Sequence, residues 1–263
     1  MKYFDAHCHI QFDGYDADRA DVLARMEEVE VGGLVVGVDA KSSRLAIELA
    51  ETKDYLYASV GLHPNDTHEP FEFAYFDELA SHEKVRAIGE CGLDYFRPGE
   101  PEAVKALQKK VFEQHIELAV KHNKPLMVHS RPSKGSEDAY RDTIDMFRSK
   151  KHEYGDRLRG DMHFFVGGIE EARDFIDLDF SLSYTAVITF ARDYDEVIRY
   201  IPLTSLISET DSPFVAPAPN RGRRNEPTAT RDVVAAFAQI RGEDPETVRQ
   251  AILQNARQKF TFI

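Results

Sequence analysis

Eight short apolar runs, each followed by a helical pattern, succeed one another along this chain without a break in composition. That alternation restricts the chain to a parallel sheet wrapped in helices. The runs lie at about 2–9, 33–38, Tyr55–Val60, Val85–Gly89, Pro125–His129, Arg159–His163, Phe180–Ser183 and Ser205–Ser208. Helical patterns fall between them at Asp18–Val29, Ser43–Thr52 (with Ser42 as N-cap), Phe71–Ser81, Pro101–His122, Asp138–Lys150, Glu170–Ile176 and Asp193–Ile201. Two more, Thr228–Ile240 and Pro245–Phe260, finish the chain. Eight such pairs in 263 residues suit one closed TIM (β/α)8 barrel, which takes about 250. The expectation is an α/β fold with a single domain over residues 1–263.

Metal-ligand side chains sit at or just after the ends of these runs. They are His7 and His9, Glu90, His129, His163 and Asp211. A parallel barrel gathers its strand ends at one face, so residues two hundred positions apart can meet there. His7 and His9 are two apart in an extended segment, and their imidazoles face one way while Cys8 faces the other. Imidazole with carboxylate suits Zn²⁺, Mn²⁺, Fe²⁺ and similar divalent ions, and tolerates Mg²⁺. A carboxylate such as Glu90 can bridge two ions and hold a water between them.

The net charge of −13 argues against coating nucleic acid through bulk charge, but not against gripping one chain end. No apolar run is long enough to cross a membrane, and the opening Met1-Lys-Tyr-Phe-Asp5 reads as a strand rather than a signal peptide. The two cysteines, Cys8 and Cys91, lack a Cys-x-x-Cys frame, which points to buried thiols in a reducing cytoplasm. Nothing in the sequence calls for an obligate protein partner.

The loop Thr210–Pro227 carries four prolines and three arginines, Arg221, Arg223 and Arg224. It reads either as a stiff phosphate clamp or as a solvated surface loop whose arginines offset nearby acids.

The motifs Asp5-Ala-His-Cys-His9, Gly61-Leu-His-Pro64, Gly89-Glu-Cys-Gly-Leu-Asp-Tyr95, Val128-His-Ser-Arg131, His163-Phe-Phe-Val-Gly167 and Glu209-Thr-Asp-Ser-Pro-Phe214 resemble those of the TatD family of metal-dependent deoxyribonucleases, within the amidohydrolase-like barrels. Asn220-Arg-Gly, Asn225-Glu-Pro227 and Asn255-Ala-Arg extend the match over nearly the whole chain. The resemblance implies two divalent ions. It assigns His7, His9 and Asp211 to one, His129 and His163 to the other, and Glu90 to both. It also implies hydrolysis of phosphoesters, with DNA ends, single strands included, as substrate. His63 and Arg131 match positions near the reacting phosphate.

In that scheme Asp211 orients or deprotonates the nucleophile, and Glu90 bridges. His63 either donates to the phosphate or leaving oxygen, or merely caps the turn beside Pro64. Arg131 and Arg223 neutralise substrate charge, and Glu209 orients a neighbour. Tyr95 and Phe96 either stack a base or pack the loop. Two features depart from the family pattern: Phe164-Phe-Val166 where a Cys and a Ser are usual, and a longer segment at Pro132–Glu137. Three readings follow. They are a phosphodiesterase, an amidohydrolase or deacylase acting on a C–N or ester bond, and a metal-binding protein without catalysis. Glu90, where many acyl hydrolases of this kind use a carboxylated lysine, and the arginines favour the first.

Overall fold

Parallel strands buried on both faces need near-continuous apolar sequence, and the eight runs form such strands. The fold is seen in a computed structural model that describes residues 1–67, 70–96, 102–218 and 220–262. The strands are β1 (Tyr3–Cys8), β2 (Val31–Val36), β3 (Leu56–Val60), β4 (Val85–Asp94), β5 (Leu126–Arg131), β6 (Gly160–Met162), β7 (Phe180–Tyr184) and β8 (Leu206–Ser208). They pair in parallel in chain order, from β1 to β8. The helices are α1 (Arg19–Glu28), α2 (Ala40–Glu51), α3 (Phe73–Ala80), α4 (Glu102–His122), α5 (Asp138–Tyr154), α6 (Ile169–Asp177), α7 (Asp195–Tyr200), α8 (Thr230–Arg241) and α9 (Pro245–Phe260). The expected helix start at Pro101 lies outside the described residues.

Three boundaries differ from the sequence reading for identifiable reasons. Ser42 is not the N-cap of α2. Asp39 is, accepting from Ser42 N at 2.6 Å, while Ser42 Oγ accepts from Asp39 N at 3.0 Å in a reciprocal capping box. β2 starts at Val31 because it pairs with β1 from Tyr3 onward. β4 runs on through Glu90 to Asp94, since its second half stays paired with β5 as far as Arg131. Polar residues hide that continuation in the sequence.

Closure of the barrel falls not on β8 itself but on the residues after it. Asp211 N donates to His7 O at 2.9 Å, and His9 N donates to Ser212 O at 2.8 Å. Buried Asp5 ties the same seam, accepting from Thr210 N at 2.9 Å and from Thr210 Oγ1 at 2.5 Å. Helix α9 covers the opposite end. Its Arg249 donates to Lys2 O, Asn255 to Leu203 O and Leu206 O, and Lys259 to Asp179 O, all at or just before strand starts. Beyond α9, Phe262 stacks on Phe4 with centroids 4.1 Å apart and on Tyr57 at 5.2 Å. The N-terminal end of the barrel is thus plugged by aromatic side chains, which leaves the C-terminal end for chemistry.

Candidate metal centre

The seam between β8 and β1 brings Asp211 beside His7 and His9. His9 Nε2 lies 3.1 Å from His7 Nε2 and 3.5 Å from Asp211 Oδ1. Atoms bound to one ion at roughly 2.1 Å stand roughly 3–4 Å apart, so the spacing fits a shared cation. Glu90 enters from β4, held between two glycines. Gly89 and Gly92 both have φ +137°, and a Cβ on either would fall against the β5 carbonyls of Met127 or His129. Only glycine lets β4 approach β5 closely enough to swing Glu90 over the barrel mouth.

The two oxygens of Glu90 face different histidines. Oε2 lies 3.3 Å from His7 Nε2 and 3.8 Å from His9 Nε2. Oε1 lies 3.0 Å from His129 Nδ1, 3.8 Å from His163 Nε2 and 3.4 Å from His63 Nε2. One carboxylate therefore stands between two groups of potential ligand atoms.

Hydrogen bonds at the far ring nitrogens fix which nitrogen offers a lone pair. His9 Nδ1 donates to Val36 O at 2.8 Å, leaving Nε2 free for the cluster. His163 Nδ1 donates to buried Glu209 at 2.6 Å, and Glu209 also accepts from Phe164 N at 2.6 Å. His129 Nε2 donates to Asp94 Oδ2 at 3.1 Å, which frees Nδ1 toward Glu90. His7 Nδ1 has no hydrogen bond and lies 3.8 Å from Glu209 Oε2.

His63 is the exception. Its Nδ1 accepts from Asn65 N at 3.1 Å, so in the neutral ring the proton sits on Nε2, the atom facing Glu90. His63 thus caps the turn with one nitrogen and offers an N–H to the cavity with the other. That Nε2 also lies close enough to Glu90 and His129 to group with them as a potential ligand atom, but in this tautomer it is a donor.

Electrostatics follow the pairing. Burial opposes charge on His163, but Glu209, by its charge and its hydrogen bond, outweighs burial and raises the imidazole to about 10. Burial also opposes charge on His129, and the Asp94 and Glu90 bonds outweigh it. Glu90 is buried too, yet the surrounding histidines hold its carboxyl well below the usual range. Burial pushes the His63 ring down to about 4, in keeping with a neutral N–H donor. A cluster of ionised carboxylates and imidazoles, its outer nitrogens already tied back, suits divalent cations, which would displace the protons held on the inner nitrogens of His129 and His163.

Around the cluster opens a cavity of about 830 Å³ lined by His9, His63, Glu90, His129, His163 and Asp211, with His7 beneath it. Three of the few large apolar residues left exposed surround its mouth: Phe96 (42%), Val166 (40%) and Phe214 (52%). Phe164 also lines it, whereas Phe165 is core, so the Phe164–Val166 segment makes one wall apolar. Tyr95 is buried, donating to Asp142 at 2.9 Å, and packs the loop rather than facing the cavity. Arg131 lies on the rim, its guanidinium 3.7 Å over the Phe96 ring.

Arg223 is not brought into this cavity. It lines a separate one of about 620 Å³ with Tyr3, Asn220, Arg224, Arg231 and Asp232. The loop turns away because Arg224 pairs with Asp18 at 2.5 Å and Arg221 stacks on Phe190 at 4.0 Å.

Sequence reasoning also missed several supporting residues. Asp94 holds His129, Asn65 and Phe96 N together, and its signal was present, since Glu90, Gly92 and Asp94 alternate on one strand. Gln108 and His115 of α4 reach inward to the same region. Gln108 bonds both backbone groups of Asp94 and also Pro64 O, and His115 Nε2 accepts from Leu62 N at 3.0 Å. Their signal was the helical spacing, since Gln108 and His115 fall on the same face of α4 as Val111, Phe112 and Ala119.

Comparison with known proteins agrees with this architecture. Residues 4–261 match the family model described as TatD related DNase. The chain is 37% identical to the uncharacterized metal-dependent hydrolase YabD of Bacillus subtilis, over 98% of each chain. It is 33% identical to the uncharacterized metal-dependent hydrolase YcfH of Escherichia coli K12, over 99% of this chain and 96% of the relative. The crystal structure of YJJV, a TatD homolog from E. coli K12, superposes with a TM-score of 0.89 at 27% identity, covering 100% of this chain and 99% of that one. Full-length coverage at these identities leaves no segment of the barrel unmatched by the family, and the chain belongs to the TatD related DNases, a family of metal-dependent hydrolases.

Proposed function

We propose that this protein is a phosphodiesterase that removes nucleotides from DNA ends with the help of two divalent ions. The observation that carries the reading is the divided carboxylate of Glu90, with Oε2 toward His7 and His9 and Oε1 toward His129 and His163. In this assignment His7, His9 and Asp211 hold one ion, His129 and His163 the other, and Glu90 both. Zn²⁺, Mn²⁺, Fe²⁺ and Mg²⁺ are all compatible with the donor set. When bound, such ions acidify water and draw charge from phosphoryl oxygens.

The chain's own residues do the rest. Asp211, only partly covered and open to the cavity, takes the proton of the attacking water on a carboxylate oxygen. His63, with its proton fixed on Nε2, donates to a phosphoryl oxygen or to the leaving oxygen. The Arg131 guanidinium forms no hydrogen bond or ion pair among the described residues, and its donors are free for the scissile phosphate. Phe96 and Phe214 offer faces on which bases stack. The buried free thiols Cys8 and Cys91 support a cytoplasmic setting.

The competing acyl-hydrolase reading is separated by substrate. Metal-loaded protein is given end-labelled single-stranded DNA, simple phosphodiesters, and a panel of dipeptides, cyclic amides and aminoacyl esters. Higher kcat/KM on the phosphodiesters is expected, and higher kcat/KM on any acyl class would overturn the assignment.

A further inference from the structure

Residues 132–137 join β5 to α5, and the chemistry above uses none of them, yet all six line the cavity that holds the metal-ligand cluster. The segment is built rather than loose. Ser133 donates to Asp138 through both N, at 2.9 Å, and Oγ, at 2.7 Å. Ser136 N closes a turn onto Ser133 O at 3.0 Å. Gly135, third in that turn, has φ +75°, the geometry of a type II turn that favours glycine there. Asp138 N donates to Ser136 Oγ at 3.1 Å, tying the turn to the start of α5.

Lys134 occupies the apex of this turn. It is exposed, and its ammonium has no hydrogen bond or ion pair among the described residues. Of the nearby acids, Asp138 serves Ser133 and Lys105, and Glu137 makes no ion pair among the described residues, its carboxyl pushed up by burial and by the like charge of Glu171. A rigid turn thus holds an unpaired cation at the rim of a cavity whose floor binds phosphate in the proposed reaction. Arg131, at the end of β5, lies on the same rim two residues beyond the floor ligand His129, which leaves Lys134, three residues further on, for a charge further along the substrate.

We propose that Lys134 receives a second, non-reacting phosphate of the substrate. The site then prefers phosphodiesters that carry a further phosphate beside the scissile one. This rests on the phosphodiesterase reading and names the substrate feature that reading leaves open. The backbone N–H groups of Lys134 and Gly135, which make no hydrogen bond among the described residues, add donors to the same anion.

The test compares kcat/KM for thymidylyl-thymidine with that for its 5′-phosphorylated and 3′-phosphorylated forms, using Mn²⁺-loaded wild type, Lys134→Ala and Lys134→Arg. Wild type is expected to favour one phosphorylated form by about tenfold, the worth of a charged hydrogen bond. Lys134→Ala brings that ratio to within about twofold of unity, and Lys134→Arg keeps most of it. Cleavage of all three compounds without a preference in wild type, or a preference that survives in Lys134→Ala, overturns the proposal. If none of the three is cleaved and bis(p-nitrophenyl) phosphate is also inert, the phosphodiesterase reading itself falls, and the proposal with it.

Discussion

Replacing Asp94 with Asn tests whether the outer hydrogen bonds set the ligand atoms of the cluster. Asp94 accepts from His129 Nε2 at 3.1 Å and Asn65 Nδ2 at 3.1 Å on one oxygen, and from Phe96 N at 3.0 Å on the other. Asn keeps one acceptor. If it stays with Phe96 N, an amide NH₂ faces the His129 N–H, donor against donor. His129 escapes by moving its proton to Nδ1, which is the nitrogen 3.0 Å from Glu90 Oε1 and the one proposed to hold an ion. Losing an outer partner of this kind weakens metal affinity by about 10- to 100-fold, or roughly 1.4–2.7 kcal/mol. The loss should fall on one ion only, because His7, His9 and Asp211 make no contact with Asp94. Calorimetric titration of metal-free wild type and Asp94→Asn with Mn²⁺ resolves the two sites. A weakened second site with an unchanged first site is expected, together with lower kcat. Two unchanged affinities in a folded variant would refute the tautomer argument, and equal weakening of both would refute the division of ligands.

Three further outcomes follow from the geometry. Arg131→Ala should lower kcat/KM on DNA by about tenfold to a hundredfold, with Arg131→Lys recovering part, whereas Arg223→Ala, in the other cavity, should stay within about twofold. Steady-state kinetics on end-labelled DNA checks both, and a larger effect at Arg223 than at Arg131 would reverse the assignment. His115 is buried and neutral, with Nδ1 donating to Val111 O at 2.9 Å, and burial lowers its pKa from 6.5 to about 4. The unfolded chain therefore binds the extra proton, so this stability is full above about pH 6.5 and is lost as pH falls toward 4, about 2 kcal/mol between pH 7 and 5. Urea unfolding of wild type and His115→Gln at those two pH values should differ by that amount in their pH dependence, and parallel losses would remove His115 from the explanation. Chelation should abolish hydrolysis without unfolding the barrel, as read by activity and circular dichroism before and after Mn²⁺ is restored.

The barrel was legible because strands buried on both faces must be apolar, so the periodicity reported each one and its order. Its extent was less legible where function intrudes. β4 carries Glu90 and Asp94 on a strand that reads as finished at Gly89, and the true seam depends on Asp5 and Thr210, which form no local pattern. The ligand residues stood out because they recur at strand ends. Their outer partners Asp94 and Glu209 lie within the same motifs, but only the fold gives them a direction. Gln108 and His115 share the helical face of Val111, Phe112 and Ala119, but the loop groups they hold, on Asp94, Pro64 and Leu62, are visible only in the fold. Arg223 was misplaced for the converse reason. Composition located a basic loop on the site's side of the barrel but could not tell which arginine Asp18 and Phe190 would draw away.

The most direct test strips the protein of metal, adds Mn²⁺ stepwise, and follows nucleotide release from end-labelled single-stranded DNA at each equivalent. The two-ion assignment predicts little release through the first equivalent and a steep rise with the second, with Glu90→Gln flat throughout. Full activity at one equivalent would contradict the bridged centre, and no nucleotide release at any metal content would contradict the assignment of this barrel to DNA.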